Sequence, residues 1–238
     1  MPDDVPSTFE WLPTEPPQQL LLLMHGVGGS AASMSFLAEA LRAEFPHAAI
    51  VARDAPHPFE GPGVPGRAWQ WFSIQGIDDA NRPARVAAAV EEFVPWVRSV
   101  QQRLGVPPPA TCLAGFSQGA ILALETVQAH DGLAGRVLAF SGRYATLPEV
   151  APALTTLHLF HGSLDPAVPV MHAHAALQRL GVLQGDATLD IAEGLGHELH
   201  EALVDCALQR LRTHIPQRTW REALGAAPAR RALPDGER

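Results

Sequence analysis

Six short, almost continuously apolar runs alternate with helical patterns from residue 20 onward, and this alternation leaves few folds open. The runs are Gln19–Met24, Ala48–Ala52, Thr111–Gly115, Arg136–Phe140, Thr156–Phe160 and Thr188–Ala192, each bounded by Gly, Pro or Asp. A strand that is apolar on both faces has to be covered on both. Such runs therefore predict an α/β fold with a mostly parallel central sheet and helices on both faces. Apolar spacing predicts the helices over Ala31–Phe45, Pro83–Leu104, Gly119–His130, Val170–Leu180 and Glu198–Ile215. Pro83 falls in a first turn, where its missing N–H is harmless, whereas Pro95 predicts a kink. The expected organisation is an N-terminal segment over 1–18, one domain over 19–216, and a partly disordered tail over 217–238.

Composition removes whole classes of chemistry. All 17 basic residues are arginine, and the 25 acidic residues bring the net charge to −8. Without lysine there is no Schiff base, no pyridoxal phosphate linkage, no P-loop lysine and no Ser–Lys dyad. A net negative chain with dispersed arginines is also a poor partner for nucleic acid or anionic membrane. Residues 217–238 carry five arginines and three acids, a balance of +2, so residues 1–216 hold −10. Cys112 and Cys206 lie far apart without CxxC spacing, which suits a reducing compartment. No signal peptide pattern precedes the first run, and Leu20–Met24 is too short to span a bilayer. A soluble cytoplasmic domain is the expectation, with its oligomeric state open between monomer and homodimer.

The segment Gly115-Phe116-Ser117-Gln118-Gly119 joins an apolar run to a helical one. A serine at a sharp strand-to-helix turn adopts a strained backbone, so its neighbours two residues away need to be glycine. The turn lifts the hydroxyl off the sheet and aims the N–H of Gln118, at a helix N-terminus, towards a substrate. Ser117 is the candidate nucleophile. A serine hydroxyl needs a base, and the base needs an orienting acid. In a doubly wound hydrolase these follow in the order Ser, acid, His, each after a later strand.

Asp165, in His161-Gly162-Ser163-Leu164-Asp165-Pro166, follows the run Thr156–Phe160 and takes the acid position. Its rival role is a turn former before proline. His197, in Gly194-Leu195-Gly196-His197, follows the last run and takes the base position. His200 is the competitor, but it falls inside the predicted helix. The other nine histidines, among them His25, His161, His172 and His174, read as structural or solvent-facing. No HExxH or comparable ligand cluster occurs, so neither a metal nor a cofactor is expected.

A second oxyanion donor has to come from a glycine-bearing loop after the first strong strand. Met24-His25-Gly26-Val27-Gly28-Gly29 supplies one, and the N–H of Val27 is the candidate, paired with that of Gln118. The dinucleotide spacing GxGxxG is absent, which argues against a phosphate loop. The stretch Asp54–Asp79 has no regular period and carries Trp69, Trp71 and Phe72. These three either line an acyl pocket or anchor the loop as a hydrophobic cluster.

Taken together, LMHGVGG, QWFSIQGID, GFSQGA, FHGSLDPAVPVM and GLGHELH, in that order, resemble the α/β-hydrolase family called phospholipase/carboxylesterase, which includes acyl-protein thioesterases. The resemblance spans Leu20 to about Pro216. It implies an α/β-hydrolase fold, Ser117 as nucleophile, Asp165 as acid, His197 as base, and Val27 and Gln118 as oxyanion donors. Trp71-Phe72-Ser73-Ile74 is similar to a Trp-Phe-Asp-Ile segment of the thioesterase branch, with Ser73 in place of Asp. Phe140–Leu147 also departs from that branch. These departures imply a bacterial esterase branch, acting on small or medium acyl esters through an acyl-enzyme. The alternatives are an acyl-protein thioesterase or lysophospholipase, and a non-catalytic interaction protein on the same scaffold.

Overall fold

In the computed structural model, which describes residues 6–61 and 68–226, the expected runs become the strands of one sheet. In chain order the elements are β1 (Thr8–Trp11), β2 (Gln19–Met24), α1 (Ser35–Glu44), β3 (Ala48–Arg53), β4 (His57–Pro58), β5 (Trp69–Gln70) and α2 (Arg82–Leu104). They continue as β6 (Thr111–Phe116), α3 (Gln118–Ala129), β7 (Arg136–Phe140), β8 (Thr156–Gly162), α4 (Met171–Val182), β9 (Ala187–Ala192), α5 (Glu201–Thr213) and α6 (Gln217–Ala226). The seven-stranded sheet has the order β1-β3-β2-β6-β7-β8-β9. All neighbours run parallel except β1, which pairs antiparallel with β3.

The period of two along each strand sends alternate side chains into two cores. Leu20, Leu22 and Met24 join Leu113, Val137 and Leu159 on the face covered by α2, α3 and α4. Leu21 and Leu23 join Ile50, Leu138 and Phe160 on the face covered by α1 and α5. Burying side chains of this size contributes about 1.5–3 kcal/mol each, so the double-sided pattern is the main force behind the sheet.

The chain lays β3 on one side of β2, then returns through α2 to lay β6 on the other. Strand order therefore reverses between β2 and β6. The crevice beyond the carboxyl ends of those two strands is where an open α/β sheet offers a ligand site. The loops after β2 and β6 are the two glycine-bearing segments singled out from the sequence.

Several expectations are corrected. The N-terminal segment expected over 1–18 contributes Thr8–Trp11 to the sheet as its antiparallel edge. That strand is mostly exposed and so lacks the apolar signature of the others. It is held by Asp54, whose carboxylate accepts from the Ser7 N–H and hydroxyl and from the Ala31 N–H. The first predicted helix splits into a 3-10 turn, Ala31–Met34, and α1. Helix α2 spans Arg82–Leu104 with Pro95 inside it, where the missing N–H forfeits one intrahelical bond. The irregular stretch Asp54–Asp79 contains the short antiparallel pair β4–β5. Residues 217–226 of the tail are helical, while 227–238 lie outside the described residues.

Candidate active site

Ser117 occupies the turn between β6 and α3 with φ 53° and ψ −114°, a left-handed conformation that costs a serine about 1–3 kcal/mol. The flanking glycines are required sterically. A Cβ on Gly115 would lie 2.2 Å from the carbonyl oxygen of Gly119, and one on Gly119 would lie 2.3 Å from that of Met24. The elbow and the end of β2 thus touch backbone to backbone. Ser117 N–H donates to Phe140 O at 2.8 Å, which ties the turn to β7.

The three residues expected to act together are brought together. Ser117 Oγ lies 2.9 Å from His197 Nε2, and His197 Nδ1 lies 2.7 Å from Asp165 Oδ2. The His197 side chain is 21% exposed and that of Asp165 is 0%, so the chain of bonds runs from a ring solvent can reach to an enclosed carboxylate. The other Asp165 oxygen accepts from the N–H groups of Ala167 and Val168, at 2.9 and 2.8 Å. Burial alone would push the Asp165 carboxyl up. The bonds from His197 and Val168 outweigh it and hold the group below the ordinary aspartate range. Asp165 is therefore ionised wherever the protein would work. Asp165 is also a turn former, as its two backbone acceptances show, and that role and the acid role coexist in one side chain.

His200 is not part of this chain of bonds. It stands at the N-cap of α5, where its Nδ1 accepts the Ala202 N–H at 3.2 Å. The predicted helix begins three residues late, at Glu201, and leaves His197 in the loop. His161 packs behind the acid, with Nε2 donating to Val168 O at 2.7 Å, and burial pushes its pKa down so that it stays neutral. Cys112 is buried, and burial pushes its thiol up to about 12, which leaves it a poor nucleophile. Among the described residues no group of three or more His, Cys, Asp or Glu side chains is arranged to hold a metal ion.

The two oxyanion candidates follow the neighbouring parallel strands β2 and β6, at whose carboxyl ends the crevice lies. Neither the Val27 nor the Gln118 N–H is engaged in a hydrogen bond among the described residues. Gln118 N–H opens α3, where the helix's partial positive charge favours an oxyanion.

Trp69 has the geometry of the loop anchor, the second of the two roles expected for it. It is 2% exposed, and its backbone is bridged to the oxyanion loop. Gly28 N–H donates to Trp69 O at 2.8 Å, and Trp69 N–H to Gly29 O at 2.9 Å. Trp71 and Phe72 are also buried and belong to the core under α2, with the Trp71 ring edge-on to Phe93. Both still reach a groove shared with His57, Glu60, Ser73 and Arg85. Two contributions escaped the sequence reading. The His25 ring donates from Nδ1 to Gly26 O at 2.7 Å and accepts the Ala55 N–H at Nε2, 2.9 Å away. The Gln118 side chain binds Trp71 N–H and Phe72 O, both at 2.7 Å. Apart from the His25–Gly26 contact these bonds join residues 30 or more positions apart, so no local pattern signals them.

The family model described as Phospholipase/Carboxylesterase matches residues 11–215. The chain belongs to the phospholipase/carboxylesterase family. Within it, the chain is 47% identical over 212 residues to the protein named Esterase YpfH of Escherichia coli strain K12, covering 89% of this chain and 90% of that one. It is 29% identical to Acyl-protein thioesterase 1 of Eremothecium gossypii, over 84% of this chain and 90% of that one. Among solved structures, esterase PE8 superposes with a TM-score of 0.77 at 28% identity, covering 88% of this chain and 99% of that one. The Bacillus cereus carboxylesterase, at 16% identity and a TM-score of 0.71, shares the fold. This phospholipase/carboxylesterase relative thus has the α/β-hydrolase architecture that the family motifs implied.

Proposed function

We propose that this chain is a serine carboxylesterase that cleaves small to medium acyl esters through an acyl-enzyme. The observation that carries the proposal is the continuous hydrogen-bonded chain from Asp165 through His197 to Ser117, at the end of two strands whose following loops carry backbone N–H groups without a partner among the described residues. In this reading His197 Nε2 takes the Ser117 proton as Oγ attacks the ester carbonyl carbon. Asp165, anchored by Ala167 and Val168, keeps the proton on Nδ1 and stabilises the imidazolium that forms. The carbonyl oxygen becomes an oxyanion met by the N–H groups of Val27 and Gln118. Collapse expels the alcohol, protonated by His197. Water, deprotonated by the same ring, then releases the acid and restores Ser117.

The relative named an esterase, at 47% identity, supports oxygen esters as the substrate class. The relative named an acyl-protein thioesterase supports a second reading, hydrolysis of long-chain thioesters. The proposed setting is the cytoplasm, consistent with no described helix being long and apolar enough to cross a membrane. The test is a panel of p-nitrophenyl esters and acyl thioesters of graded length, run on the parent and on Ser117→Ala. Turnover highest on short oxygen esters and lost in Ser117→Ala supports the proposal. Turnover confined to long thioesters moves it to the second reading, and an unaffected Ser117→Ala rejects the nucleophile.

A further inference from the structure

We infer that the Gln118 side chain is a positioning group that fixes the two oxyanion donors relative to each other. This rests on the proposed role of the Val27 and Gln118 N–H groups. Those donors come from loops after different strands, so their separation is not set by local chain geometry. The β2–β6 pairing fixes it as far as Met24 and Gly115, and beyond the strand ends hydrogen bonds traced through the loop at residues 69–72 hold it.

A primary amide presents an acceptor and a donor side by side, as a peptide does, and Gln118 uses both. Its Oε1 accepts the Trp71 N–H and its Nε2 donates to Phe72 O, each at 2.7 Å, with Gln118 only 3% exposed. The clamped segment then grips the other donor from both sides. Trp71 Nε1–H donates to His25 O at 2.9 Å, on the N-terminal side of Val27. Two residues earlier, Trp69 exchanges backbone hydrogen bonds with Gly28 and Gly29 on the C-terminal side. The residue whose backbone supplies one donor therefore holds, through its side chain, the loop that brackets the other. The His25 ring, bonded to Gly26 O and Ala55 N, stiffens the same bracket.

The chemistry specifies the side chain. Leucine matches the size of glutamine but offers neither bond, while leaving the backbone N–H of residue 118 in place. Glutamate keeps the acceptor for Trp71, and gains a donor for Phe72 O only when protonated.

The test measures kcat and KM on a short p-nitrophenyl ester, with kcat normalised to active sites titrated by a fluorophosphonate. Gln118→Leu is expected to lower kcat about 10–100-fold with KM within twofold, because the interaction is aligned only for the transition state. Affinity for an aryl boronic acid, whose tetrahedral adduct on Ser117 mimics that state, is expected to fall by a similar factor. In Gln118→Glu the ratio of variant to parent activity is expected to rise as pH falls. A purely structural role would reduce the titratable fraction and leave kcat per site unchanged. Should Gln118→Leu fail to fold, Trp71→Phe, which removes the bond to His25 O and trims the buried indole, is expected to show the same split of kcat from KM, with any packing loss read separately as a lower titratable fraction. Unchanged kcat per site in whichever variant folds overturns the inference, provided Ser117→Ala is inactive. An active Ser117→Ala overturns the esterase reading first.

Discussion

Adding one methyl group at Gly115 offers a stringent measurement of how tightly the elbow is built. The Cβ of Gly115→Ala would sit 2.2 Å from Gly119 O, 2.3 Å from Gly119 C and 2.5 Å from Ala120 N, all backbone. Real Cβ contacts below 3.0 Å essentially do not occur, so β6 and the first turn of α3 must separate by at least about 0.8 Å. Overpacking of this kind costs about 1–3 kcal/mol. In a domain of this size that lowers the melting temperature by about 2–4 °C for each kcal/mol. The same movement carries Ser117 Oγ off its line to His197, and a displacement near 1 Å costs about 10²-fold in turnover. Gly181→Ala is the matched control, because a Cβ there meets nothing within 4 Å on α4. It should leave turnover intact and add about 0.5–1 kcal/mol of stability by helix propensity. Urea unfolding and steady-state hydrolysis of a short p-nitrophenyl ester give both numbers. A Gly115→Ala protein with kcat within threefold of the parent would show that the elbow can yield without moving its serine.

Two more outcomes follow from the site and its surroundings. In Asp165→Asn, the contacts from Ala167 and Val168 N–H keep the amide oxygen where Oδ1 was and turn the NH2 towards His197 Nδ1. The imidazole proton is then driven to Nε2, which can no longer accept from Ser117, so kcat should fall about 10⁴-fold with the melting temperature little changed; a loss under tenfold would refute the tautomer argument. The second concerns acid stability. Burial, with Arg136 alongside, lowers the His158 pKa to about 3 from 6.5, so the unfolded chain binds the extra proton over that window. Stability from this group is present at neutral pH and drains as pH falls below about 6.5, by up to about 1.4 kcal/mol per pH unit. Burial lowers the pKa of His25 and His161 as well, with the same sign. His158→Gln, which can still accept from Arg136 and donate to Thr188, should flatten the unfolding free energy between pH 6 and pH 4. An identical slope in parent and variant would exclude His158 as the source.

What the sequence made legible was whatever depends on local pattern. Leu20–Met24 and Thr156–Phe160 are enclosed on both faces, so their apolar runs announced buried strands, and strand-end position then located Ser117, Asp165 and His197. Thr8–Trp11 is not legible because an exposed edge strand has no such run, and its partners, the β3 ladder, Asp54 beside Ser7 and Arg103 on Glu10, are all distant in sequence. His200 was set aside because it falls within a helical pattern; the structure instead caps that helix with it. The aromatic residues were correctly located on a covering loop, but their direction was not readable. Whether Trp69 faces a pocket or the core depends on its bridge to Gly28 and Gly29, which no local signal encodes. The Gln118 clamp escaped for the same reason: it joins residues 46 and 47 positions apart.

The placement of the five tryptophans gives the protein a built-in optical readout. Trp69 and Trp71 are 2% exposed and lie against the oxyanion loop, whereas Trp220 on α6 is 57% exposed. A collisional quencher such as iodide should extinguish the Trp220 emission first, then that of the half-buried Trp11 and Trp96, and leave a blue-shifted remainder from the enclosed pair. Any loosening of the bracket around Val27 would then register as a red shift in that remainder, so the state of the loop can be followed in solution without substrate or label.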